Sequence, residues 1–569
     1  MTPPAPLAEA GPRGASWLLA HRGREGDDQR AIIRLRLAGV LAAMGFLVLA
    51  CRASFLGLVA DPEAYPRLAR LQTPPVERAT IVDRNGALLA ANLMTHSLWA
   101  DTREVWDPKA AARALGRVLP ELDVAATEKR LSSGRAFVWL ARQLTPRQRQ
   151  AVFSLGLPGL DFREEPRRTY PRGRLGAHVL GWTNPDSEGV AGVEQAYDDR
   201  LAQGGRPLAL SLDMRVQFAA DEALRAAMAE FRAKAAAAIV TDVQSGEILA
   251  LVSLPDFDPN TPLMATQNER RNRVISDVYE LGSTFKAFAI AAALESRVAN
   301  MSTYIDVSRP LTVEGHVIRD YHPFNGAMSV AEIFTESSNI GTAKLALATG
   351  AERQQAVLKA FGLLDRAPLA GGRTPRPLVP QRWTRSTIAT VSFGHGLAVS
   401  PLSLASAYGA VANKGVFVAP TLERRAPDAA VATHRALSEA GSRRMLDLMR
   451  LVVAEGTGSK ADAPGYAVAG KTGTADKVVN GVYANGRRLN SFAAVFPHPE
   501  PRWSVLVVLD EPKPTKDTFG FAAAGWNAAP TAGEIVRRIA PMLGADRLIA
   551  EREDVFIRQA AVQADETSL

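Results

Sequence analysis

Leu37 to Leu58 forms a long apolar run near the start of the chain. Its uninterrupted part, Leu37 to Cys51, would give roughly 22 Å of helix, short of a hydrocarbon core of roughly 30 Å. Continued past Arg52 to Leu58 it reaches about 33 Å, with Arg52 near one end and able to snorkel to the headgroups. The pattern predicts one transmembrane helix. A cleaved signal peptide is the rival reading, but the run is long and no A-x-A site directly follows it.

Beyond Arg78 the pattern alternates. Arg78 to Ala90, with Asp83-Arg84-Asn85-Gly86 in the middle, reads as a strand, an Asn-Gly turn and a second strand. Asp107-Pro108 opens a helix through Leu119, with Asp as cap and Pro in the first turn. Ala238 to Val243, a turn at Gln244-Ser245-Gly246, and Glu247 to Ser253 predict a hairpin. A helical block follows, then strands at Tyr466 to Thr474, Ser491 to Phe496 and Trp503 to Leu509, and a helix around Ala532 to Leu543. Strands, helices, then strands again predict an α+β domain in which helices pack an antiparallel sheet.

One stretch differs from both regimes. Ala287 to Leu294 carries no charge on any face, so a helix there must run through a domain core. Glu280-Leu281-Gly282-Ser283-Thr284-Phe285-Lys286 leads into it. At helical spacing Ser283 and Lys286 share a face, which sets a nucleophile beside a base. Burial lowers a lysine pKa, so Lys286 can accept the serine proton, and helix N-terminal N–H groups can stabilise an oxyanion.

An isolated S-x-x-K is common, but two later stretches join it in order: Ser337-Ser338-Asn339 and Lys471-Thr472-Gly473-Thr474. S-x-x-K with S-x-N and K-T-G marks penicillin-binding proteins and related β-lactamases. A competing motif overlaps the third stretch, because Gly465 to Thr472 matches the phosphate loop G-x-x-x-x-G-K-[ST]. That loop needs a strand before it and a helix behind it. Ala461 to Pro464 is no strand, and Gly473 with the Asn480-Gly481 and Asn485-Gly486 turns occupies the helix position.

Composition narrows the compartment and the chemistry. A chain of 569 residues is long enough for two or three domains. The net charge of +8 and pI near 9.6 admit nucleic acid as a partner, but no nucleic-acid motif is present, and a basic exported protein facing anionic envelope polymers is the better account. Cys51 is the only cysteine, which excludes intramolecular disulfides, zinc knuckles and cysteine catalysis. The eight histidines form no H-E-x-x-H pair, so neither metal nor cofactor is expected. His395, in the Gly-rich Ser392 to Gly396 loop, reads as a packing residue rather than a base. Six Arg (13, 22, 24, 30, 34 and 36) precede the apolar run and three (67, 70 and 78) follow it, which predicts a cytoplasmic N-terminus.

From roughly Arg78 to Leu543 the chain resembles a class B penicillin-binding protein. The resemblance rests on the three ordered motifs together with the D-R-N-G stretch, Arg168-Thr169-Tyr170-Pro171 and the Gly189 to Asp198 run, which read as structural on their own chemistry. It implies a cytoplasmic tail (1–36), a membrane helix (37–58), an elongated, dimerisation-like pedestal (59–206), a transpeptidase domain (207–547) and a polar C-terminal tail (548–569). It further implies a D,D-transpeptidase of the bacterial inner membrane, with its catalytic domain periplasmic, that cross-links peptidoglycan stem peptides and is acylated by β-lactams. Ser283, Lys286, Ser337, Asn339 and Lys471 would be catalytic, and Thr472, Gly473 and Thr474 would bind substrate. Ser337 would shuttle a proton, the Asn339 amide would orient Lys286 or a substrate amide, and the N–H groups of Ser283 and Thr474 would form the oxyanion hole.

No glycosyltransferase signature precedes the catalytic domain. Asp476-Lys477 and Leu509 to Pro512 resemble the cell-division (FtsI-type) branch more than the elongation branch. That branch implies a multispanning glycan polymerase and other membrane proteins of the division machinery as partners. A β-lactamase-like hydrolase and a β-lactam receptor are the alternatives from other classes. Leu281 and Ala287 stand where the family usually or often has Pro.

Overall fold

The computed structural model describes residues 24–58, 77–369, 372, 374–426, 428–479 and 481–547. The expected tail 548–569, the first 23 residues and the start of the expected pedestal (59–76) lie outside them. The chain divides into Met1–Pro75 and Val76–Leu569. In the first unit, helix α1 (Arg24–Leu58) contains an apolar span, Ile33–Ser54, long enough to cross a membrane. The helix therefore begins inside the segment expected to be a flexible tail. No proline separates Arg24 from the apolar run, and a helix once nucleated in that run extends through the Gln, Arg and Leu positions before it.

In the second unit the D-R-N-G stretch forms the expected hairpin, β1 (Ile81–Val82) against β2 (Leu88–Ala100). Asp83 is the reason for its place. One carboxylate oxygen accepts the N–H groups of Asn85 and Ala87 at 2.8 Å, and the other accepts Met214 N–H at 3.1 Å, at the start of helix α2 (Met214–Glu230). The same side chain closes the turn and ties it to the catalytic domain. β2 continues as a long strand flanked by β3 (Val138–Leu144) and β4 (Leu160–Thr169), while β1 pairs in parallel with β5 (Leu208–Ala209). The expected helix is present at Pro108–Val118, with Asp107 capping Ala110 N–H. It helps to close a separate small core around Leu98, Leu115 and Leu140, whereas Ile81, Leu89 and Tyr170 belong to the main core.

The remaining pedestal motifs meet in one buried ionic node. Arg78 Nε and Arg168 Nε donate to the two oxygens of Glu194 at 2.7 and 2.6 Å, and all three side chains are at most 3% exposed. Arg78 also reaches Asp198 at 2.7 Å. Residues from the pedestal's start, from its β4 strand and from the Gly189 to Asp198 run are thereby fixed to one another, which is a structural role. Removing one member of such a buried set leaves charge without a partner.

The catalytic domain is built on a five-stranded antiparallel sheet. Its strands are β6 (Ala235–Asp242), β7 (Ile248–Leu254), β8 (Ala469–Val479), β9 (Val482–Phe496) and β10 (Trp503–Asp510), in the spatial order β8-β9-β10-β6-β7. Side chains alternate between two cores. Val505, Val507 and Leu509 face α2 and helix α6 (Ala528–Ile539); Leu506 and Val508 face the helical block on the other side. With both faces covered, these strands read as nearly continuous apolar runs.

The last hairpin is longer than the sequence pattern predicts. Asn485-Gly486 sits inside β9, and the chain reverses instead between Val479 and Val482, where Gly481 has φ +81°. Cross-strand pairing continues beyond the buried residues and overrides the second turn signal. The uncharged stretch forms helix α3 (Lys286–Glu295), buried from Lys286 to Leu294.

Glu194→Ala is expected to cost about 3–5 kcal/mol by leaving the buried Arg168 guanidinium without a carboxylate and Arg78 with Asp198 alone, read as a lower denaturation midpoint of the full-length protein. Glu194→Gln should cost less.

Candidate active site

Ser283 does not lie in the α-helix itself. It sits in a 3-10 turn, Gly282–Phe285, that runs straight into α3. In a 3-10 turn residues i and i+3 eclipse, so the turn keeps Ser283 stacked one step from Lys286. Ser283 is half-buried, while Lys286 is 0% exposed. The Lys286 amine donates to the Ser337 carbonyl and, at 3.1 Å, to the Ser337 hydroxyl. Lys471 donates to the same hydroxyl at 2.9 Å. One serine oxygen thus joins two buried amines that come from helix α3 and strand β8.

Ser337 reaches that position through a helix stop. Helix α4 (Val330–Thr335) ends with Ser337 N–H on the Phe334 carbonyl and Ser338 N–H on the Ile333 carbonyl, the paired bonds of a Schellman turn. The turn requires a left-handed residue, usually glycine, and here Ser337 has φ +62°. A strained backbone holds the hydroxyl between the lysines. Ser338 then caps helix α5 (Asn339–Thr349). Asp320 holds this start by accepting from the Ser338 hydroxyl at 2.8 Å, from Ile340 N–H at 3.1 Å and from Asn339 N–H. The expectation for Asn339 changes in one respect: its amide donates to the Arg319 carbonyl at 3.0 Å and makes no hydrogen bond to Lys286.

The K-T-G stretch occupies β8, an edge strand of the sheet. Lys471 therefore stands in a strand with no helix behind it, and the phosphate-loop reading fails on its required geometry. Gly473 explains its own identity, because a Cβ there would lie 2.3 Å from the Leu281 carbonyl oxygen and 2.5 Å from Ser491 Oγ. Only glycine lets the serine's turn rest against the strand. On the other side, a Cβ at Gly394 would lie 2.1 Å from the Gly282 carbonyl oxygen. Two glycines thus clamp the turn. Leu281 stands where proline is usual in the family, yet its carbonyl is fixed by the hydroxyls of Thr284 at 3.0 Å and Ser491 at 3.3 Å.

The Lys471 amine also donates to the Thr472 hydroxyl at 3.3 Å. The Thr472 hydroxyl shares a hydrogen bond with Thr457 at 2.9 Å, and Thr474 accepts Ala524 N–H at 3.0 Å. Beyond Ala524, Trp526 stacks on Phe521 and packs edge-on to Phe519, an aromatic patch that the sequence pattern did not single out. His395 packs edge-on to Phe393 and Tyr483, as a loop-packing residue would.

Electrostatics set the protonation states. Burial first, and the Lys471 charge second, hold Lys286 well below the usual lysine range, against an opposing pull from Asp320. Burial brings Lys471 down to about 7, with Glu336 pulling the other way. Glu332 is used locally, because its carboxylate accepts the Ser329 N–H and hydroxyl in a capping box. A cavity of about 670 Å³ lined by His178, Trp182, Phe257 and Arg270 lies at the pedestal junction and includes none of these catalytic candidates.

A penicillin binding protein transpeptidase domain matches residues 236–537, and a penicillin-binding protein dimerisation domain matches residues 73–205. The chain belongs to the class B penicillin-binding proteins. Similar proteins include the "Probable peptidoglycan D,D-transpeptidase FtsI" of Caulobacter vibrioides, 43% identical over 484 residues that cover 83% of this chain and 82% of that one. The "Peptidoglycan D,D-transpeptidase FtsI" of Escherichia coli K12 is 32% identical over 530 residues, covering 85% and 88%. Among solved structures, penicillin binding protein 3 of Mycobacterium tuberculosis in complex with aztreonam matches with a TM-score of 0.65 at 25% identity, covering 83% of this chain and 97% of that one. For this class B protein, then, the α+β fold and the pedestal ahead of the catalytic domain are established.

Ser337→Gly separates the two roles of that residue. It relieves left-handed strain of roughly 1–2 kcal/mol while removing the shared hydroxyl. The expected result is a melting temperature no lower than wild type with β-lactam acylation slowed by about 10²-fold or more, the range for loss of a proton-transfer group.

Proposed function

We propose that the chain is a membrane-anchored serine D,D-transpeptidase that cross-links peptidoglycan stem peptides. The observation that carries this reading is the hydrogen-bonded set Lys286, Ser337 and Lys471, with Ser283 in the turn that leads directly into Lys286. Lys286, its pKa lowered by burial, takes the Ser283 proton as Oγ attacks the carbonyl between the two terminal D-alanines. The N–H groups of Ser283 and Thr474 receive the oxyanion. The C–N bond then breaks, and the proton passes from Lys286 through Ser337 to the departing D-alanine amine. An amine of a second stem attacks the acyl-enzyme, its surplus proton returns by the same route, and Ser283 is regenerated.

Lys471 supplies positive charge beside Ser337, and the Thr472 and Thr474 hydroxyls hold the substrate carboxylate. Gly473 lets an extended stem peptide lie along the free edge of β8, where main-chain pairing can add a strand. Asn339 holds the Arg319–Asp320 loop at the mouth of the S-x-N turn. β-Lactams enter the same chemistry as substrate mimics.

The chain works at the division septum of the bacterial inner membrane, with its N-terminus cytoplasmic and residues after the membrane helix periplasmic. Support comes from the arginines ahead of the apolar run and from the FtsI names of its relatives. The two stretches that resemble the division branch meet in space: Lys477 donates to Asp510 at 2.6 Å and to Glu511 at 3.1 Å. Its partners are a multispanning glycan polymerase, reached through the membrane helix and pedestal, and other division membrane proteins.

A pulse of penicillin followed by intact-protein mass spectrometry is expected to show one adduct that persists for many minutes and is absent from Ser283→Ala. Rapid return to the free mass with repeated turnover would make the chain a hydrolase. In cells, a fluorescent β-lactam should mark mid-cell, and depletion should give filaments; even side-wall labelling with rounding would move the chain to the elongation branch.

A further inference from the structure

The carboxylate of Glu280, three residues before Ser283, is shared by two elements that the catalytic scheme does not use. It accepts Gly396 N–H at 2.9 Å from the Gly-rich loop. It also accepts the Tyr483 hydroxyl, at 3.0 Å on one oxygen and 3.3 Å on the other, from the far end of the β8–β9 hairpin. The Tyr483 ring packs edge-on to His395, with centroids 5.6 Å apart, and His395 packs in turn against Phe393. His395 Nδ1 is enclosed there without a hydrogen-bond partner among the described residues. The rest of the hairpin end is loosely held: Val478 and Val482 are exposed, and the nearest ion pairs, from Lys477 to Asp510 and Glu511, lie at its base.

The Gly-rich loop is also pressed on the turn of Ser283 through the approach of Gly394 to the Gly282 carbonyl, and the segments flanking the two are joined by paired backbone bonds between Tyr279 and Val399 at 2.9 and 3.0 Å. A displacement of either element is therefore transmitted to Ser283 within three residues. We propose that Glu280 is a positioning residue for acylation: its carboxylate joins the Gly-rich loop and the hairpin end across the segment that leads into Ser283, and the Tyr483 hydroxyl is its partner in that role. A half-exposed hydrogen bond of this kind contributes little to global stability, so its effect falls on geometry. Reacting groups displaced by about 1 Å can lose on the order of 10²-fold in rate.

The inference rests on Ser283 as nucleophile, and the same experiment separates the two. Full-length protein in detergent is acylated by a fluorescent penicillin over a concentration series, giving the limiting rate and the half-saturating concentration, with Ser283→Ala as control and melting temperature measured alongside. Glu280→Ala is expected to lower the limiting rate by about 10–100-fold, with half-saturation and melting temperature nearly unchanged. Tyr483→Phe should lower it by a smaller factor, and the double variant should be no slower than Glu280→Ala, because both changes remove one interaction. Glu280→Gln keeps an acceptor for Gly396 N–H and an amide for the tyrosine hydroxyl, so it should restore most of the rate.

A Glu280→Ala protein that acylates within about twofold of wild type overturns the proposal. So does a loss that tracks a lowered melting temperature, or one that appears in half-saturation alone. Labelling that survives Ser283→Ala would instead remove the nucleophile assignment on which the proposal stands.

Discussion

Two lysine amines are held in a water-poor interior against a single serine hydroxyl, and much of the catalytic domain can be read as the means of keeping them there. Lys286 is buried because the helix that begins with it is apolar on every face. Lys471 is buried because its strand is covered by the turn that carries Ser283. Desolvation disfavours both charges, and at Lys286 the Lys471 charge adds to it. A lysine in water would be protonated near neutral pH and useless as a base. On the proposed mechanism, the fold thus makes an ordinary cation available as a proton acceptor.

Holding the turn of Ser283 against that pair demands close backbone approach, and glycine supplies it at Gly473 and Gly394. Shape rather than reactivity selects those residues. Ser337 shows the opposite compromise. Its position in the Schellman turn would suit glycine better, and the hydroxyl is kept there at the expense of backbone strain. The pedestal obeys a separate logic, in which the Arg78–Glu194–Arg168 node locks distant segments and Asp83 ties their first turn to the catalytic domain.

Much of this could be read in the sequence where the signal was local. The uncharged stretch after Lys286, the Asp107 cap, the Asn85-Gly86 turn and the hairpin at Gln244 to Gly246 each carry their cause within a few residues. Of the residues in the three ordered motifs, Lys286, Ser337 and Lys471 are hydrogen-bonded together. The features that were not legible depend on distant partners. Asp320 acts on α5 from 19 residues upstream, Ser491 meets Leu281 across 210 positions, and Glu280 meets Tyr483 across 203. Asn485-Gly486 misled because strand pairing overrode a turn signal. Helix α1 extends past its expected start because the apolar run downstream sets that end as much as the residues at the end itself.

The central claim is that burial makes Lys286 a base at neutral pH. Its ordinary pKa is near 10.4, and burial holds the folded value well below that, so the neutral form grows as pH rises through the lowered value. The pH profile of the second-order constant for acylation by a penicillin tests this most directly. It should rise as pH passes through the lowered Lys286 value, well below the range of a free lysine, and decline above about 7 as Lys471 loses the charge that attracts the substrate carboxylate. A constant that keeps climbing toward pH 10, as an unperturbed lysine requires, would contradict the account.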